Sequence, residues 1–150
     1  MKKIAIAILA AVITSGVSQG QSDSKSDKER LIGAWHLADI KGPDGKAVSN
    51  GPVGMLIYTA DGHMSVQLMY PKAAGAMSNQ YVQDGYEASF GSYDVNEATH
   101  TVTHHVLGSN TRDLLVGKDL PRVYSFSSDG HLIIRSASPD EHWAVTWEHY

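Results

Sequence analysis

Apolar and polar positions alternate in short runs along most of this chain. The clearest run is His63–Tyr70 (HMSVQLMY), where Met64, Val66 and Leu68 fall on one face and His63, Ser65 and Gln67 on the other. A period of two marks a strand with one dry side. Just before it, Met55–Thr59 reads as another strand, and Ala60-Asp61-Gly62 folds the two into a hairpin. Asp-Gly between β-prone runs is a strong turn signal, because Gly adopts positive φ without steric penalty. Two registers are open. A two-residue turn pairs Thr59 with Met64; a three-residue turn with Gly62 at a bulge pairs Tyr58 with Met64. We favour the bulged form, which sets Leu56 and Tyr58 beside Val66 and Met64 on the inner face.

Six further strands follow from the same pattern. Leu31–Ile40 carries Leu31, Trp35 and Leu37 on one side, and Ala88–Val95 has Phe90 on one face and Gly91, Tyr93 and Val95 on the other. The remaining four are His100–Leu107, Leu120–Phe126, His131–Arg135 and His142–His149. Asn96–Thr99 and Ser128-Asp129-Gly130 are turns, while Lys41–Val53 and Gly108–Asp119 are long loops. Pro71–Gln80 has no strand pattern and reads as a short helix or lid, which could run on to Glu87. Eight short strands without a strong amphipathic helix give an all-β fold. An eight-stranded antiparallel up-and-down β-barrel removes exposed edges and leaves room for one small ligand.

The N-terminus follows a different rule. Lys2 and Lys3 precede an unbroken apolar run, Ile4–Ile13, and small or polar residues follow to Gly20. This is the layout of a signal peptide over residues 1–20, cleaved after Gly20 or after Ser18, and it predicts export to the periplasm or beyond. The run is too short to span a bilayer, so no integral membrane segment is expected after cleavage. Gln21–Arg30 is polar and charged and reads as a disordered leader. Within it, Ser26-Asp27-Lys28-Glu29 fits a capping box that would start a helical turn. The single domain then covers residues 31–150.

Composition narrows the partners. The formal charge of −4 becomes −6 once Lys2 and Lys3 are removed, with no basic cluster, which argues against nucleic acid. The absence of Cys removes thiol catalysis, thiolate metal sites and disulfides. No Gly-x-Ser-x-Gly, phosphate loop or His-Glu-x-x-His motif is present. Neither a metal nor a cofactor is expected.

Six segments in order (LIGAWHL, GPVGMLIYTADGHMSVQLM, FGSYDV, TVTHHVLGS, Val116-Gly117 and Thr146-Trp147-Glu148) resemble the bacterial and fungal lipocalin-like domain family from about Leu31 to Tyr150. Gly33-x-Trp35 is similar to the signature of true lipocalins, in which Trp closes the barrel floor. The resemblance implies an eight-stranded barrel with an internal pocket for a small, largely apolar molecule, and implies no reaction. The chain departs from the family pattern at Asn110–Leu115 and just after Tyr70, both in loops, so ligand identity is not carried over.

Five residues are candidate ligand contacts: Tyr58, Tyr93, His104, Arg122 and Tyr124. Neighbours on a strand face opposite ways, so His104 and His105 cannot share a metal; the company of Val102 and Val106 points His104 inward. An inward His can meet a ligand or move a proton, or it can be a core ring satisfied by a hydroxyl such as Tyr93 or Tyr124. Arg122, Tyr124 and Phe126 share a face, where Arg122 could hold a carboxylate in a two-pronged bond. Alternatively Arg122, or Arg135, stacks on Trp35 to close one end. Trp35, Trp143 and Trp147 read as plugs more than as ligand platforms. A small-molecule carrier is the leading function. The alternative is a cofactor-free isomerase, cyclase or dehydratase in which His104 moves a proton while Tyr124 or Arg122 steadies negative charge. Haem binding, and a solid barrel acting through a patch near Leu114, Leu115 and Val116, rank below these.

Overall fold

The computed structural model describes residues 25–48, 51–71 and 78–150. The expected signal peptide and its cleavage site lie outside these residues, as does most of the Pro71–Gln80 stretch read as a short helix or lid. Eight strands close into one antiparallel barrel in sequential order: β1 (Gly33–Lys41), β2 (Val53–Tyr58), β3 (His63–Met69), β4 (Tyr86–Asn96), β5 (Thr101–Ser109), β6 (Asp119–Phe126), β7 (Leu132–Ser136) and β8 (Ala144–His149). β8 pairs back onto β1, so no edge is left open. The hairpin takes the bulged register: Tyr58 pairs with Met64 and Leu56 with Val66. Gly62, at φ 89°, supplies the left-handed residue that this turn needs.

Inward residues follow the alternation. Leu56, Tyr58, Met64, Val66 and Leu68 are buried, as are Tyr93, Val102, His104 and Tyr124. Two irregularities reset the phase. A bulge between Leu37 and Asp39 leaves Leu37 half-buried and returns Ile40 to the interior. A second shift makes Leu107 the extra, unpaired residue of β5 opposite Phe90 and Gly91, and both Leu107 and Phe90 point out to solvent.

One end of the barrel is shut by a short helix, α1 (Asp27–Leu31). Residues 27–30 are therefore helical, where a disordered leader was expected. The capping box explains this: Glu29 N donates to Ser26 Oγ (3.2 Å) and Ser26 N to Glu29 Oε2 (2.9 Å). Lys28 N donates to Glu97 Oε1 at 2.9 Å, tying α1 to the β4–β5 turn. Leu31 is the last helical residue rather than the first of β1, and it plugs the floor beside Trp35, whose Nε1 donates to Leu31 O at 2.9 Å. The His149 ring sits edge-on to Trp35, 4.5 Å between centroids. It occupies the space above Gly33, where a Cβ would run into the imidazole. Gly33 is required there by both space and its φ of 144°.

The closing arginine differs from either expected one. Arg30 lies 3.7 Å over the Phe126 ring, while Arg135 reaches the Ser125 hydroxyl on the outer surface and Arg122 lies in the other half of the barrel. The cation comes from α1 because the helix, not a strand, covers this end. Residues 78–85 form bends and turns, so the helical form of the helix-or-lid stretch is not taken there, and Tyr86 and Glu87 begin β4. Among the described residues, no helix is long and apolar enough to cross a membrane.

Candidate functional site

The opposite half of the barrel holds a cavity of about 330 Å³. Its walls are the inward positions of the strands: Leu56, Val66, Leu68, Ile134, Val145 and Trp147 among them. The loops above it are braced by polar contacts. Asn79 Oδ1 accepts from the backbone N–H groups of Tyr81 (2.8 Å) and Val82 (2.9 Å), a side-chain-closed turn that drives Val82 into the interior. Tyr81 OH donates to the Glu141 carboxylate (2.9 and 3.0 Å), which also accepts from Trp143 Nε1 at 3.1 Å and Gln80 Nε2 at 2.5 Å. Burial opposes ionisation of Glu141, but hydrogen bonds from Ser136, Tyr81 and Trp143, and then the positive charge of Arg122, hold its carboxyl below the ordinary range.

Arg122, His104 and Glu87 are among the polar groups that interrupt the apolar lining. Arg122 is buried (7 % exposed), with Cζ 5.1 Å from the Tyr81 ring centre and 4.9 Å from that of Trp143. Both distances suit a cation held on aromatic faces. Among the described residues its Nη1 makes a long bond to Pro121 O at 3.4 Å, and its guanidinium also interacts with the Tyr81 hydroxyl, opposing the rise that burial gives that phenol. None of the ion pairs among these residues includes it. His104 Nε2 lies 2.6 Å from Tyr58 OH. Burial, with Arg122 and His105 nearby, pulls the His104 pKa down to about 3, while burial pushes that of Tyr58 far up. Both groups are therefore neutral at pH 7. Tyr58 has no other acceptor among the described residues, so its O–H donates to Nε2 and the imidazole proton is on Nδ1. Burial raises the third group, the Glu87 carboxyl, to about 7 against the opposing pull of Arg122.

A family model for a lipocalin-like domain matches residues 32–149. The chain belongs to the lipocalin-like domain family. The crystal structure of a point mutant of the fluorescent protein UnaG is similar, at 14 % identity and a TM-score of 0.41, over 81 % of this chain and 97 % of that one. No curated protein matches. A lipocalin-like barrel with an internal cavity supports small-molecule binding in general.

Of the five candidate contacts, the lipocalin-like barrel brings two to the cavity wall, His104 and Arg122. Tyr58 stands behind His104 as its hydrogen-bond partner. Tyr93 is buried against the Tyr58 ring, 4.7 Å between centroids, and its hydroxyl donates to Thr59 O at 2.9 Å. Tyr124 belongs to the closed end, where its hydroxyl donates to Asp27 Oδ2 at 3.2 Å. The hydroxyl that satisfies His104 is thus that of Tyr58, not of Tyr93 or Tyr124. Trp143 and Trp147 line the cavity, so only Trp35 is a plug. Leu115, read with an outer patch, is buried and also lines the cavity, while Leu114 and Val116 are exposed. Glu87, Ser89 and Tyr81 were missed. Extending the face of Gly91, Tyr93 and Val95 back along β4 reaches Ser89 and Glu87, so that signal was present; nothing in the sequence places Tyr81.

Proposed function

We propose that this chain is an exported lipocalin-like protein that holds a small, mostly apolar molecule inside the barrel. The observation that carries the reading is the cavity: about 330 Å³ under braced loops, walled by aliphatic and Trp side chains with a few polar groups. Such a volume and lining suit a small-molecule site. The signal-like N-terminus supports export. The catalytic alternative through His104 has less support, because a His this reluctant to take a proton is a poor base near neutrality. Titration with the uncharged dye N-phenylnaphthylamine tests the binding reading. Saturable, blue-shifted fluorescence is expected, and it should fall at least about tenfold in affinity when Val66→Trp fills the cavity. Absence of uptake by the wild-type protein would overturn the reading.

A further inference from the structure

We propose that the ligand of this barrel carries an anionic oxygen head group, of the carboxylate class, docked on the Arg122 guanidinium and the His104 Nδ1–H, with the Glu87 carboxyl on the same cavity wall. The inference rests on the binding reading above and specifies its polar end. It begins from unused donors. A guanidinium has five N–H groups in a planar fork matched to a carboxylate. Those of Arg122 find aromatic faces, the Tyr81 hydroxyl and one long carbonyl contact, with no ion-pair partner among the described residues. No fully buried side-chain nitrogen or oxygen among these residues lacks a partner. Arg122 lines the cavity, and any of its N–H groups not spent on Pro121 O or the Tyr81 hydroxyl is therefore open to an incoming group. His104 Nδ1 and both Glu87 oxygens have no hydrogen-bond partner among the described residues and are not fully buried, and both residues line the cavity.

The nearer carboxylates do not complete Arg122. Glu141 is engaged by Tyr81, Trp143 and Gln80. Glu87 makes no ion pair with it, and burial favours the neutral acid. The titratable groups that line the cavity with Glu87 are Arg122 on β6, His104 on β5, Tyr70 after β3, Tyr81 in the loop and Lys41 at the end of β1, and Arg122 and Tyr70 are close enough to couple to it. His104 and both phenols are neutral at pH 7, Tyr70 being raised to about 12 by burial and then by Glu87. An incoming anion therefore meets Arg122 as the strongest donor, and a neutral Glu87 adds an O–H where an ionised one would repel. Binding is coupled to proton uptake: affinity is higher below Glu87's midpoint and is lost as pH rises through it.

Displacement of N-phenylnaphthylamine by decanoate and by decanol separates the claims. Decanoate keeps its charge from about pH 6 to about pH 8, so any pH effect in that window belongs to the protein. Decanol transfers more readily out of water, so a preference for decanoate requires a specific anion contact. At about pH 6 decanoate should displace the dye with an affinity at least about tenfold above decanol's, and lose several-fold by about pH 8. Arg122→Met should bring the two competitors level, and Glu87→Gln should remove the pH dependence while the decanoate preference stays. Equal affinities of decanoate and decanol for the wild-type protein would overturn the inference and leave the cavity reading standing. A pH dependence unchanged in Glu87→Gln would overturn the role of that residue. Failure of the dye to enter the wild-type barrel takes down the underlying reading itself. The wild-type comparison alone decides the matter even where a variant does not fold.

Discussion

At the closed end Arg30 is 41 % exposed, yet it has Asp27 at 3.3 Å and the Phe126 ring at 3.7 Å. At the open end Arg122 is buried, and it has two aromatic faces and no carboxylate in ion-pair range among the described residues. Tyrosines divide the same way: Tyr124 donates to Asp27 in the plug, while Tyr81 helps to frame the cavity mouth. An exposed ion pair contributes little because water screens it. A buried charge without a partner is the costly case. The full set of partners thus sits where it matters least, and the incomplete set where it matters most. One half of the barrel is finished by its own chain; the other has donors left over, facing space of ligand size.

Variants can break this comparison. The largest effect is expected from Trp35→Ala, which opens the plug and deletes a packed indole; urea denaturation should show a loss of about 3–5 kcal/mol. Tyr58→Phe leaves His104 Nε2 buried without its donor, and should cost about 1–3 kcal/mol in the same measurement. Glu87→Gln sharpens the comparison through pH. The folded-state value of Glu87, about 7, lies above the ordinary 4.5, so the unfolded chain gives up this proton first as pH rises. Wild-type stability therefore falls between those two values, and Glu87→Gln should exceed wild type by about 1–3 kcal/mol near pH 8 and match it near pH 4. The arginines should change sign with place. Arg122→Met should stabilise the empty protein by about 1–2 kcal/mol, whereas Arg30→Met should lower stability by about 0.5–1 kcal/mol in thermal melts.

Much of this architecture is legible in the sequence because a strand writes its two faces in alternation. Met64, Val66 and Leu68 fixed one wall, and the valines around His104 turned that ring inward. Alternation says nothing about height along the barrel axis. Tyr93, His104 and Tyr124 all point inward, yet only His104 reaches the cavity; the tyrosines are spent on Thr59 O and Asp27 at lower levels. The plug was half visible. Its capping box is local chemistry, readable from Ser26 and Glu29, but the docking of Lys28 N on Glu97 joins residues 69 apart in sequence. Glu87 lies on a legible inward face of β4 but is passed over because a charged residue at a strand start reads as solvated, and the closure of the barrel around it makes the site dry.

The three indole N–H groups offer the most direct test, since the chain has three Trp and they divide between the two halves. In proton–nitrogen correlation spectra recorded through a titration with N-phenylnaphthylamine, the Trp143 and Trp147 indoles should shift with the dye. The Trp35 signal, held by Leu31 O at the floor, should stay in place. A spectrum in which Trp35 moves while Trp143 and Trp147 do not would put the open space at the wrong end, and would contradict the division of this barrel into a finished floor and a ligand chamber.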